Sequence, residues 1–231
     1  MLQSLDGQSI DGLKFCGLVY GIFENVRATP EGIEALRMRR GKCKKLVEEL
    51  LPICKYIQGK YRPGRYISVT WIDGNQTYDA ELRSVGEYVV HGYYPANSFV
   101  EVTCIVHPNE YLAREHINAG GAVFGLDGLT RTKDRKVNSI PKVHVGDIFI
   151  ENYADLVLTE LVKNSVKLYP ARTTLVMQCS LNRLYLPNEW AKLISSIEDR
   201  FRRTHSSSYF CMTLYLNTRH PYMRLQRAAL N

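Results

Sequence analysis

Two acidic residues, Asp79 and Glu101, stand at the edges of strand-like runs that would bring both carboxylates to one place. Asp79 lies in Thr77-Tyr78-Asp79-Ala80-Glu81-Leu82, just after the turn signal Asp73-Gly74-Asn75, and Glu101 opens Glu101-Val102-Thr103-Cys104-Ile105-Val106. The second run is β-branched and apolar, with no obvious place for an acid. A carboxylate buried there is costly unless it is paired or holds a cation. Two of them at a sheet edge attract Mg²⁺ or Mn²⁺, ions that prefer oxygen ligands; Mg²⁺ keeps several waters and often shares a phosphate with its substrate. The chemistry would be hydrolysis of phosphodiesters. The plainer alternative makes Asp79 a turn residue and Glu101 an exposed strand-end charge.

The totals narrow the classes. The chain has 231 residues, enough for one large domain or two small ones, and 45% hydrophobic with 23% charged residues is the balance of a globular protein. Its 30 Lys and Arg against 23 Asp and Glu leave a net charge of +7, which favours a polyanionic partner. No apolar run is long enough to cross a bilayer, and Met1-Leu2-Gln3-Ser4-Leu5-Asp6 does not read as a leader, so a cytoplasmic protein with no membrane partner is expected. The six cysteines, at 16, 43, 54, 104, 179 and 211, form no C-x-x-C pair, and read as small core residues in a reducing compartment. The histidines, at 91, 107, 116, 144, 205 and 220, are dispersed, without zinc-enzyme spacing, and no phosphate-binding G-x-x-x-x-G-K-[ST] occurs.

The elements that must position the acids follow from local signals. Thr29-Pro30-Glu31 marks a helix start, and a helical pattern runs to about Lys60, interrupted at Gly41 and Pro52, so that two or three shorter helices fit as well as one. Its basic block includes Arg37, Arg39, Arg40, Lys42, Lys44 and Lys45, while Leu46, Val47, Leu50, Leu51, Ile53 and Ile57 supply an apolar face. Such a block is either a solvated face or a surface that tracks phosphates. Tyr66–Ile72 reads as a strand, turned at residues 73–76 into the strand carrying Asp79, and a third strand spans Phe99 to Val106. Asn109–Asn118 reads as a short helix, and 120–141, with Arg131, Lys133, Arg135 and Lys136, as a basic hairpin or loop suited to clamping nucleic acid.

A helix is expected over Tyr153–Tyr169, a buried strand over Thr173–Met177 and a helix from Asn188 to about Thr204. Ser206-Ser207-Ser208 reads as a linker, Tyr209–Leu216 as a last strand, and Tyr222–Leu225 as a strand beside it. Together these describe one α/β domain over residues 1–231 around a mixed central sheet. Residues 1–28 form an N-terminal extension, 29–60 a helical segment and 61–231 the sheet and its flanking helices.

Laid out in this order, the chain resembles the PD-(D/E)xK nuclease superfamily, whose restriction-endonuclease-like core is αβββαβ. The resemblance covers roughly residues 44–177 and rests on element order together with Tyr78-Asp79-Ala80 and Glu101-Val102-Thr103. It implies that Asp79, Glu101 and the backbone carbonyl of Val102 hold the metal, with Glu48 or Glu49 from the first helix completing the shell or positioning a water. Thr103 departs from the pattern, because the family usually places there a lysine that stabilises transition-state charge. In some members that lysine has moved to the following helix, where Lys163 and Lys167 are expected one turn apart beside Glu160.

The resemblance thus implies a magnesium-dependent endonuclease or exonuclease acting on nucleic acid, foremost double-stranded DNA. Arg39, Arg40, Lys44, Lys45, Arg131, Lys133, Arg135 and Lys136 are its candidate phosphate contacts. The enzyme would act alone, as a homodimer or in a larger complex. Two other readings stand beside it: a nucleic-acid binder with the same fold that cleaves nothing, and a scaffold subunit of a defence or processing complex that docks through the segment Phe15–Phe23.

Overall fold

The computed structural model describes residues 2–142, 146–179, 186–204, 211–216 and 223–226. Its centre is a seven-stranded mixed sheet in the order β1-β2-β3-β4-β7-β8-β9. The first four strands, β1 (Ser9–Asp11), β2 (Tyr66–Trp71), β3 (Ala80–Val85) and β4 (Asn97–Ile105), pair antiparallel. β7 (Thr173–Cys179) and β8 (Cys211–Leu216) continue from β4 in parallel, and β9 (Met223–Gln226) closes the sheet antiparallel. A separate hairpin pairs β5 (Leu129–Arg131) with β6 (Val137–Ser139). The expected linker Ser206-Ser207-Ser208, Tyr209 and Tyr222 lie outside the described residues. No described helix is long and apolar enough to cross a membrane.

Helices pack against both faces, on one of them over the parallel half of the sheet alone. α1 (Gly12–Arg27) starts where the Asp11 carboxylate accepts the amides of Leu13 and Lys14, and α2 (Pro30–Met38) starts as its sequence signals require, with the Thr29 hydroxyl accepting the Gly32 amide. The chain then runs through α3 (Lys42–Lys45), a π-helical stretch at Leu46–Leu50 and α4 (Leu51–Lys60) as one rod. Leu46, Leu50, Ile53 and Ile57 recur at helical spacing and are fully buried against Ile67, Val69, Trp71 and Leu82 of the sheet. On the other face, α7 (Gly146–Ser165) and α8 (Pro187–Thr204) bury Tyr153, Val157, Leu161, Leu193 and Ile197 against Ile105, Leu175 and Met177. Two short helices, α5 (Glu87–Val90) and α6 (Glu110–Asn118), flank β4 along the chain.

Three expectations give way to packing. Pro52 does not break the helix: the π stretch carries an i to i−5 bond from the Leu51 amide to the Leu46 carbonyl, so Pro52 opens α4 within a continuous rod. The Glu48 carbonyl, four residues before Pro52 and so denied an amide donor there, accepts the Cys104 thiol at 3.5 Å. Phe15–Phe23 is no docking strand but part of α1, with Phe15, Cys16 and Val19 in the core.

The third is the helix expected over Tyr153–Tyr169, which runs from Gly146 to Ser165. It begins early because Phe149 and Ile150 join the second core. At its end the Asn164 amide and the Ser165 hydroxyl bond back to the carbonyls of Glu160 and Val162, a local competition that suits a terminus.

α1 lies so close to the sheet that a Cβ on Gly12 would stand 2.7 Å from Ile57 Cγ2 and 2.8 Å from the Ile67 carbonyl. Gly12→Ala should therefore lower stability by about 1–3 kcal/mol through overpacking. In urea denaturation the midpoint should fall with the slope unchanged; an unshifted midpoint would show that α1 can move away from the sheet without cost.

Candidate active site

The site lies where β4 parts from β3. Their last rung is Ala80 with Val100; from there β4 runs on to Ile105 with only β7 beside it. Asp79 sits at this fork. Its backbone bridges both neighbours, donating to the Val100 carbonyl at 2.8 Å and accepting from the Ile72 amide at 3.0 Å. Its side chain then takes the place of the missing strand, with Oδ2 accepting the Val102 amide at 2.6 Å. Strand geometry puts the carbonyl of Val102 on the same side as its amide, facing the fork.

Glu101 reaches the fork from β4 and is half-buried, with the Lys167 ammonium 3.3 Å from its Oε1. Glu49 enters from the π-helical stretch on the other face of the sheet. Burial first, and then the charge of Asp79, push the Glu49 carboxyl up to about 7 against the pull of Lys45. Burial, followed by the charge of Glu101, pushes Asp79 up to about 7 although the Val102 amide, Lys167 and Lys45 all favour its ionised form. Burial likewise raises Glu101, outweighing Lys167. Three carboxyl groups therefore share one field, with two lysines at its edge.

Among the proposed site residues, the fork gathers Asp79, Glu101, Val102, Glu49, Lys167 and Lys45, and not Glu48 or Lys163. Lys163 lies on the exposed side of α7 with its ammonium 3.3 Å from Glu160. Lys167 is free to turn inward because it follows the helix, its amide bonded to the Asn164 carbonyl in a turn. Glu48 faces a part-buried cluster, where its carboxylate lies 3.8 Å from Arg39 and 4.0 Å from Arg114, which in turn pairs with Glu110. That contact also takes Arg39 out of the set of phosphate ligands, since its guanidinium is largely buried.

Arg40 pairs with Glu34 at 2.9 Å, and Lys45 pairs with Asp73 in the β2–β3 turn. At the hairpin, Arg131 forks onto Glu115 at 2.6 and 3.1 Å, whereas Lys133, Arg135 and Lys136 project from the β5–β6 turn into solvent, as does Lys44 from α3.

Two further residues belong to the site without a sequence signal of their own. Tyr169 follows Lys167 into the fork; burial and the charges of Glu101 and Asp79 raise its hydroxyl, which donates to Asn164 Oδ1 at 3.1 Å. Asp73 holds Lys45 at the mouth. Lys45 stands four residues before Glu49, a spacing visible in the sequence, and its charge favours the ionised form of Glu49.

Among the described residues no three His, Cys, Asp or Glu side chains form a ready metal cage. The donor chemistry nonetheless fits a hard divalent cation, which is commonly held by one or two carboxylates and its own waters. All the donors are oxygens, and their mutual repulsion is what such a charge relieves. No family model, curated protein or solved structure matches the chain.

Asp79 and Glu49 keep their protons to about pH 7 when folded, against ordinary values of 3.8 and 4.5. The folded state thus binds more protons than the unfolded one between about pH 4 and 7, so stability should fall as pH rises through that window and level off above it. Asp79→Asn keeps an acceptor for the Val102 amide and removes the charge. Thermal melts in metal-free buffer should show it more stable than the wild type at about pH 8, with a shallower decline from pH 5. Lower stability with an unchanged slope would mean that the carboxylates do not repel each other.

Proposed function

We propose that this chain is a nuclease that hydrolyses phosphodiester bonds in DNA with Mg²⁺ or Mn²⁺, as a relative of the PD-(D/E)xK superfamily. The observation that carries the reading is the ion pair of Lys167 with Glu101 beside Asp79. The resemblance leaves Thr103 where a lysine is expected, and Lys167, more than sixty residues later in the chain, brings an ammonium to the same carboxylates. With the short helices α5 and α6 and the β5–β6 hairpin set aside as insertions, the order α4, β2, β3, β4, α7, β7 supports it, being the αβββαβ order that the resemblance implies.

Each group then has a task. The Val102 amide fixes the Asp79 carboxylate, and Lys167 holds Glu101 while offering positive charge where the attacked phosphate becomes more negative. Glu49, with its carboxyl at about 7, can take up or release a proton near neutrality. Asp79, Glu101 and the Val102 carbonyl would hold the metal, which when bound activates a water and shields the phosphate. Lys44, Lys133, Arg135 and Lys136, exposed on α3 and on the hairpin, are the cations left to meet the backbone of the substrate.

Cleavage of plasmid and oligonucleotide DNA should require Mg²⁺ or Mn²⁺ and stop with chelator. Asp79→Asn and Glu101→Gln should abolish it, and Lys167→Met should slow single-turnover cleavage on the order of 100-fold while sparing affinity. Lys163→Met should leave the rate unchanged; wild-type rates in Asp79→Asn or Lys167→Met would remove the assignment.

Replacing Lys133, Arg135 and Lys136 with Gln should reduce the salt slope of duplex binding by roughly 0.9 per lost phosphate contact. A slope equal to that of the wild type would make the hairpin a solvated surface only.

A further inference from the structure

The β2-β3-β4 meander has two unlike faces. One is sealed: Ile67, Val69, Trp71, Ala80, Leu82 and Val100 lie under α1 and α4. The other carries Tyr66, Ser68 and Thr70 on β2, Glu81, Arg83 and Val85 on β3, and Asn97, Phe99 and Glu101 on β4. Tyr66 is 47% and Val85 50% exposed, and Glu81, Arg83 and Asn97 are exposed too. Strand register arranges these residues in lateral rows: Tyr66 with Val85, then Ser68 with Arg83 and Asn97, then Thr70 with Glu81 and Phe99. The next row is the fork itself, with Asp79 beside Glu101.

The rows lie about 7 Å apart, two residues along a strand. They make an open track that ends in the carboxylates.

The chemistry of the track is that of a stacking surface. Tyr66 stands at its outer end. At its inner end Phe99 and Tyr78 form a pair with ring centroids 4.7 Å apart, and the Tyr78 hydroxyl occupies Glu81 Oε1 at 2.8 Å. Between them Arg83 has no carboxylate partner among the described residues. Rings and an unpaired guanidinium on one sheet face can meet the faces of bases and the phosphate between them, and base faces are open only in an unpaired strand.

We infer that the open face of β2-β3-β4 is the track for a single-stranded polynucleotide, which passes over Tyr66 and Arg83 to Phe99 and enters the fork at Glu101. The inference rests on the nuclease reading for where the strand is cut. It also narrows the target from a paired duplex to an unpaired or frayed strand.

Fluorescence anisotropy in chelator, with dye-labelled oligothymidine, oligouridine and a DNA hairpin duplex, tests the track without requiring cleavage. Tyr66→Ala and Arg83→Ala alter exposed side chains and should leave the melting temperature unchanged. Each should weaken single-strand binding by about 10-fold, with duplex binding unaffected.

Unchanged single-strand affinity in both variants, or an equal loss on the duplex, overturns the track even if the wild type cleaves DNA. Selective loss of single-strand binding in a protein that cleaves nothing with Mg²⁺ or Mn²⁺ upholds the track and removes the nuclease reading instead.

Discussion

The bond from the Val102 amide to the Asp79 carboxylate is the contact on which the site depends. A sheet can open a cleft between two strands only if the strand groups exposed there find other partners, because an unpaired buried amide costs as much as a lost hydrogen bond. Here β3 begins at Ala80 while β4 runs on to Ile105, and the side chain of the residue before β3 takes up the first amide beyond the fork. The same bond that completes the sheet fixes a carboxylate at the cleft. Structure and chemistry are therefore coupled at Asp79: its position satisfies the backbone, and its burial beside Glu101 makes its ionised form unfavourable.

The acids reach this point from opposite faces of the sheet, and each depends on a different local device. Glu49 is aimed by the π-helical stretch and by its neighbour. Successive residues of a helix point in different directions, so with Glu48 facing Arg39 and Arg114, Glu49 is turned to the fork. The ion cluster joins the end of α2 to α6 across the rod, and a buried pairing of this kind is weak evidence for stability. Glu101 is held instead by Lys167, which the early end of α7 releases from the helix.

The two faces of the meander divide the labour. The apolar side, from Ile67 to Val100, anchors the sheet to α1 and α4 and resists movement. The polar side stays open because α7 and α8 pack over the parallel half, where Ile105, Leu175 and Met177 supply the apolar surface that Ser68, Arg83 and Asn97 lack. A sheet with one sealed and one open face needs alternation along each strand. β3 shows it most plainly, its residues alternating between buried and exposed from Ala80 to Val85.

The sequence by itself determined the mixed α/β architecture, the meander and the helix start at Thr29, and it set Asp79 and Glu101 at neighbouring strand edges. Those follow from local periodicity, turn chemistry and an acid placed in an apolar strand, all properties of neighbouring residues. It also singled out Lys163 and Lys167 as lysines of one helix face that could stand near these two acids.

Only the tertiary structure sets Lys167 rather than Lys163 beside Glu101, since that depends on where α7 ends, and the side-chain bonds of Asn164 and Ser165 mark that end. It likewise chose Glu49 over Glu48, carried the rod through Pro52 and drew Tyr169 to the carboxylates. Each of these depends on residues far apart in the chain meeting in space, and no local pattern records such a meeting.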